Sequence, residues 1–175
     1  MRHWARAVGA ARSGNLENAR RDLARVAQIA EESRDEPDVW FRNTVQVLRL
    51  EAEAWLALAE GYDDRALDLM HAAAAIEDQT DKSSLSPGRV LPVHEQLGDM
   101  LLELGQAEEA FREYAESLGH AARRFNSIYG MARSAQAWGR GDLAAHSYRL
   151  LLELAVPDSP RPEVAEARKF LALAE

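Results

Sequence analysis

Four glycines recur in the same local sequence context, and this repeat constrains the fold more than any other feature of the chain. They are Gly14, Gly61, Gly105 and Gly139. Five residues after each comes an alanine, and nine residues after each comes a large apolar side chain. Seven residues before each comes an alanine or a glycine. Because glycine ends a helix in the left-handed conformation at no steric cost, each copy predicts two antiparallel helices joined by a tight turn.

Between these turns the apolar side chains follow the helical period, and the alternation typical of strands is almost absent. The sequence predicts helices near residues 2–13, 16–33, 38–60, 63–78, 93–104, 107–121, 127–138, 142–155 and 162–174. They pair into hairpins at about 1–33, 38–78, 93–121 and 127–155, followed by a capping helix at 162–175. One hairpin cannot cover its own apolar face, so neighbouring hairpins must stack. We therefore expect an all-α, antiparallel helical-hairpin solenoid that forms a single domain over residues 1–175.

The repeat resembles the tetratricopeptide repeat (TPR). Gly105 and Gly139 are 34 residues apart, which is the period of that family. In the best copy the motif positions are held by Leu97, Gly98, Leu101, Gly105, Ala110 and Tyr114. In the fourth copy we take Gly139 rather than Gly141 as the turn residue, because only Gly139 places Ala144 and Tyr148 in phase. The resemblance covers about residues 1–155. The chain is also similar to the C-terminal region of bacterial TPR proteins of unassigned role. Membership of the TPR family would imply a protein-binding scaffold.

The amino-acid composition excludes or disfavours several kinds of site and partner. The chain has no cysteine, which excludes thiol nucleophiles and thiolate metal sites and suits a reducing, cytoplasmic compartment. The net charge is −8, and the acidic excess lies in residues 61–122, which disfavours binding to nucleic acid. No apolar run approaches the roughly 18 residues of a membrane span. Arginine greatly outnumbers lysine, which favours a bacterial source.

The TPR resemblance implies a concave groove lined by the first helix of each hairpin. The residues that the helical period puts on the groove side of these helices are the candidate partner-binding residues: Trp4, Glu51, Trp55, Glu95, Asp99, Glu103, Tyr129 and Arg133. We call this line of residues the stripe. Some TPR domains bind a peptide carboxylate through Lys, Arg and Asn on this stripe, whereas here its middle is acidic. We therefore expect a peptide or protein segment with basic and apolar groups. Alternatively, the two tryptophans are core residues, and the carboxylates pair with Arg133 or face water.

The sequence indicates no catalytic constellation, and we expect neither a cofactor nor a metal. His94, Glu95, Asp99 and Glu103 come closest to a metal site, but a metalloprotease helix would need a second histidine where Gly98 stands. The glycines of 139-GRGD-142 lack the lysine of a phosphate-binding loop. We predict a protein that is not an enzyme and that binds a protein or peptide, without nucleic acid or membrane partners.

Two features leave alternatives open. Trp40 and Phe41 stand together at the start of a long helix, where they either pack hairpin on hairpin or form an edge for self-association. The loop at 79–92 either bridges two hairpins or folds towards the groove. The alternative functions are a self-associating assembly module, which would be a homo-oligomer, and a helical sensor that binds a small molecule or a divalent metal.

Overall fold

The computed structural model describes residues 1–80 and 91–173, and these residues form nine α-helices and no strand. The helices are α1 (Arg2–Arg12), α2 (Leu16–Glu32), α3 (Val39–Ala59), α4 (Asp63–Asp78), α5 (Val93–Glu103), α6 (Ala107–His120), α7 (Phe125–Ala137), α8 (Gly141–Leu154) and α9 (Pro162–Leu173). The all-α prediction is confirmed, and the ends of the helices fall within about two residues of the predicted positions. No described helix is long and apolar enough to cross a membrane.

The chain divides into two compact units, Met1–Val93 and His94–Glu175. In the N-terminal unit α1 packs against α2 and α3, α2 packs against α3, and α3 packs against α4. In the C-terminal unit α6 packs against α7, α7 against α8, and α8 against α9. The single domain over residues 1–175 stays a prediction. The alternatives for the 79–92 loop concern mainly residues 81–90, which lie outside the described residues.

The four turn glycines share one backbone geometry. Their φ angles are 76° at Gly14, 82° at Gly61, 78° at Gly105 and 78° at Gly139. In each turn the amide that follows the glycine donates to the carbonyl four residues before the glycine, at 2.8 or 2.9 Å. This is the Schellman arrangement, which satisfies carbonyls that the helix end would otherwise leave unpaired. The choice of Gly139 over Gly141 is confirmed, because Gly141 is the first residue of α8.

The phased side chains around these turns form the core. The four alanines five residues after the glycines are buried, as are Met70, Tyr114 and Tyr148 nine residues after them. In the first copy Leu23 is only half-buried. The ring of Tyr114 fits where α5 and α7 carry no side chain: a Cβ at Gly130 would lie 2.3 Å from Tyr114 Cε1, and one at Gly98 would lie 2.9 Å from its Cζ. The packing of the Tyr114 ring therefore depends on two glycines that lie inside helices.

The first turn offers a matched pair of substitutions. Gly14→Ala should lower the free energy of unfolding by about 1 to 2 kcal/mol, because an L side chain is disfavoured in the left-handed region. Gly9→Ala, in the exposed middle of α1, should raise it by about 0.5 to 1 kcal/mol, because alanine favours the helix. A Cβ at either position meets no atom within 4 Å, so the backbone alone decides the difference. Urea unfolding followed by circular dichroism measures both; equal losses would contradict the assignment of the turn.

Candidate functional site

Three of the predicted partner-binding residues, Trp4, Glu51 and Trp55, lie in the N-terminal unit, and all three are buried. Both tryptophans belong to the core. The guanidinium of Arg12 covers the Trp55 ring, with its Cζ 4.3 Å from the ring centroid. A buried side chain offers little contact area to a ligand, so the role of these residues in partner binding stays a prediction and would require the core to open.

In the C-terminal unit Glu95 is also buried, with 2% of its surface exposed, and its carboxylate is held on both oxygens. Arg124 Nε donates to Oε2 at 2.6 Å, and Arg124 Nη2 donates to Oε1 at 3.0 Å. Ser127 Oγ donates to Oε2 at 2.6 Å. A buried carboxylate needs such partners, because an uncompensated charge is costly in a medium of low dielectric. Glu95 therefore joins α5 to the start of α7.

Asp99 and Tyr114 form the next polar contact along α5. The phenol of Tyr114 donates to Asp99 Oδ1 at 2.6 Å. Burial, and then the neighbouring Asp99 carboxylate, raise the pKa of Tyr114 far above its usual range. The phenol therefore keeps its proton and stays a donor. Asp99 itself is half-buried, and Glu103, one turn further along α5, is exposed.

A second phenol network joins α7 and α8 to α9. Tyr129 Oη donates to Glu166 Oε2 at 2.7 Å, and Tyr148 Oη lies 3.0 Å from Glu166 Oε1 and 3.1 Å from Gln136 Oε1. Burial, together with the hydrogen bond to Glu166, raises the pKa of Tyr129 to about 12. Burial and Glu166 also raise the pKa of Tyr148 above its usual range. Both phenols therefore remain donors at neutral pH.

Arg133 is exposed on α7, and its Cζ lies 5.7 Å from the centroid of the half-buried Tyr129 ring. Its positive charge partly offsets the rise in the pKa of Tyr114. One alternative from the sequence was that the acidic side chains of the predicted groove pair with Arg133. The carboxylate of Glu95 pairs with Arg124 instead.

These contacts bring α5, α7 and α9 side by side within the C-terminal unit. Glu95 connects α5 to α7, and Tyr129 connects α7 to α9. We call their common surface the α5–α7–α9 face and define it by four of the predicted residues, Asp99, Glu103, Tyr129 and Arg133. The supporting residues Arg124, Ser127 and Glu166 were missed at the sequence level, since nothing in their local spacing distinguishes them from surface residues.

His94, Glu95 and Asp99, three of the four residues that come closest to a metal site in the sequence, have different partners in the structure. His94 Nδ1 lies 2.7 Å from Glu113 Oε2, and the His94 ring stacks on His120 with centroids 5.8 Å apart. Glu95 binds Arg124, and Asp99 accepts from Tyr114. The three side chains are therefore engaged in separate contacts.

Comparison with known proteins shows the fold. No protein-family model matches the sequence, and no curated protein matches it either. Solved structures of MamA, a TPR-like protein, are similar to this chain. The structure described as MamA AMB-1 has a TM-score of 0.60 and 17% identity, and the match covers 98% of this chain and 78% of MamA. The one described as MamA MSR-1 also has a TM-score of 0.60 and 17% identity, and the match covers 98% and 82%.

The likeness to MamA supports the expected TPR-like fold, and at this identity it shows the fold alone. The helices of this chain pair through four glycine turns. What the chain binds has to be inferred from its own side chains.

The ion pair under the α5–α7–α9 face is directly testable. Arg124→Ala should lower the free energy of unfolding by about 3 to 5 kcal/mol, because it leaves the buried Glu95 carboxylate without its cation. The matched control is Arg112→Ala: Arg112 is 66% exposed and pairs with Glu108 on the surface of α6. It should change stability by less than about 1 kcal/mol. Chemical denaturation measures the free energy of unfolding of both variants. Losses of similar size would show that the buried pair stabilises the fold no more than the surface pair does.

Proposed function

We propose that the chain is a non-catalytic scaffold that binds a peptide or protein segment through the α5–α7–α9 face. The observation that carries this proposal is that exposed charged side chains lie above a layer of hydrogen-bonded residues. Glu103 and Arg133 are exposed, Asp99 and Tyr129 are half-buried beside them, and hydrogen bonds hold the layer beneath. A surface ordered before binding loses less conformational entropy when a partner arrives.

The face carries groups suited to a segment with basic and apolar side chains. A carboxylate has about four acceptor sites, so Asp99 can accept from a ligand's lysine or arginine while it keeps its bond to Tyr114. Glu103 adds a second carboxylate one turn away. The ring of Tyr129 offers apolar area at a low entropic cost, because its hydroxyl is already bound to Glu166. Arg133 supplies donors for carbonyl oxygens of the ligand backbone.

The TPR-like fold supports this reading in general terms, because stacked helical repeats present extended surfaces that bind other proteins. The lack of cysteine suits a reducing compartment, and we place the scaffold in the cytoplasm.

The test uses peptides selected from a random displayed library on the wild-type chain. Their affinities are then measured by fluorescence anisotropy for the wild type and two variants. Glu103→Lys should weaken binding about tenfold, which corresponds to about 1.4 kcal/mol, because it sets a cation against the basic segment. Arg133→Gln should also weaken binding, because it removes guanidinium donors to the carbonyl oxygens of the ligand backbone. The selected peptides should be rich in basic and apolar residues.

The controls make the same two changes on α6 and α8. Glu116→Lys and Arg149→Gln alter exposed residues on these helices and should leave the affinity unaltered. Peptides that lose affinity in the controls, but not in the Glu103 and Arg133 variants, would remove the proposed face. Selection of acidic peptides would overturn the proposed chemistry of the partner.

Self-association is a second candidate function, and one observation favours it. Val39, Trp40 and Phe41 are consecutive at the start of α3 and are 55%, 37% and 41% exposed. Exposed apolar side chains that cluster on a surface can mark a contact with another molecule. A second copy of the chain could cover them.

Light scattering over a range of concentrations tests this candidate. If the patch joins two copies, the wild type should exceed the monomer mass, and Trp40→Ser combined with Phe41→Ser should return it to the monomer, because the apolar contact is lost. Tyr62→Ser is the matched control, since Tyr62 is 57% exposed at another turn of the same unit. A wild type that stays monomeric at all concentrations would exclude self-association.

A further inference from the structure

The N-terminal unit contains a polar cleft of about 620 Å³ between the C-terminal end of α2 and the first half of α3. Its lining includes three guanidinium groups, those of Arg34, Arg42 and Arg49, against a single carboxylate, that of Glu31. Ligand-binding clefts in proteins commonly have volumes of about 300 to 1,000 Å³. The cleft is therefore large enough for several side chains of a partner, and its lining is cationic in a chain whose net charge is −8.

The α3 side of the cleft is one helical stripe. Arg42, Gln46 and Arg49 follow each other at spacings of four and three residues, so they project from the same side of α3. Val39 lies one turn before Arg42 on this side of α3 and is 55% exposed. It is outside the cleft lining and extends the stripe with an apolar side chain. At about 1.5 Å per residue, the stripe from Val39 to Arg49 is about 15 Å long. About five residues of an extended peptide would cover it.

The three arginines differ in how their charge is neutralised. Arg34 forms an ion pair with Glu31 at 2.6 Å, and Arg49 pairs with Glu53 one turn away on α3. Arg42 is half-buried and donates to the backbone carbonyl of Glu36, and it forms no ion pair with any residue in 1–80 or 91–173.

A guanidinium has five N–H donors, and a carboxylate accepts two of them side by side. Half-buried charges are screened less than exposed ones, so an anion at Arg42 would be held more firmly than one at the open surface. The nearby carboxylates do not fill this role. Asp38 accepts from the amide of Phe41 as the N-cap of α3, and Asp35 and Glu36 are exposed side chains outside the cleft lining.

We propose that this cleft binds an acidic segment of a partner protein, with a carboxylate on Arg42 and an apolar side chain against Val39. Charge complementarity favours this occupant, because the guanidinium of Arg42 pairs with no carboxylate in 1–80 or 91–173 and shares the cleft with two further arginines. Asn43 and Gln46 add amide groups able to bind the backbone of the segment. The site belongs to the N-terminal unit and is independent of the α5–α7–α9 face, so either proposal can fail without the other.

The experiment uses the full chain and a fluorescein-labelled peptide of about six residues, long enough for the stripe, in which glutamate alternates with leucine. Fluorescence anisotropy should show saturable binding that weakens as sodium chloride is added, because the contact is electrostatic. Arg42→Gln should weaken binding about tenfold. The control Arg65→Gln removes the same charge from an exposed position on α4 and should leave the affinity unchanged.

A second variant covers the case in which Arg42→Gln disturbs the fold by losing its bond to the Glu36 carbonyl. Gln46→Glu places a carboxylate in the cleft, where Arg49 Nε already lies 3.2 Å from the Gln46 oxygen. It keeps the Arg42 contact and should also weaken binding about tenfold, because the new carboxylate competes with the peptide. Circular dichroism confirms that each variant stays helical.

Three outcomes would overturn the proposal. The first is an absence of glutamate peptide binding to the wild type at low salt. The second is equal affinity for a peptide with lysine in place of glutamate. The third is an affinity that does not change in either cleft variant. A calorimetric titration with inorganic phosphate completes the test: saturable binding of phosphate without binding of the peptide would replace the acidic segment by a small anion.

Discussion

The left-handed glycine at each hairpin turn is the constraint on which the rest of the structure depends. It lets the next amide reach back to the end of the preceding helix, so one helix ends and the next begins within three residues. Two helices joined so tightly must cross closely, and this requires small side chains on the facing surfaces. The buried alanines that accompany each glycine satisfy this requirement. The glycine turn and the small core residues beside it are therefore needed together for each hairpin to pack.

Tyr114 connects this packing to the proposed binding face. Its ring fits against Gly98 and Gly130, where neither helix carries a side chain, and its hydroxyl emerges beside Asp99. The same residue thus fills the core between α5 and α7 and fixes a carboxylate near the surface. The buried Glu95 ion pair fixes the same two helices one turn earlier. The face is ordered from beneath, which is what a surface needs to bind a partner without first rearranging.

The helices and turns could be predicted because they depend on local spacing: a glycine phase and a helical period are both visible in one sequence. The candidate site could be predicted only in part. Glu95 was predicted as a partner-binding residue, but it is buried and binds Arg124, which is 29 residues away. Gly130 lies outside the phased positions, so only the packed ring of Tyr114 reveals its role. The cationic cleft was missed, because its arginines look like ordinary surface charges until α2 and α3 are placed side by side.

The four hairpin turns agree closely in φ, whereas the segments that join α2 to α3 and α8 to α9 leave their helices with different geometry: ψ is 4° at Ser33 and 143° at Ala155. This contrast indicates where evolution can lengthen or shorten such a chain. An insertion inside a turn would displace the glycine from its phase and separate both helices of the pair. An insertion between hairpins leaves every phase intact. Descendants of such a chain should therefore differ in length at those joining segments, while the spacing of the residues around each glycine stays the same.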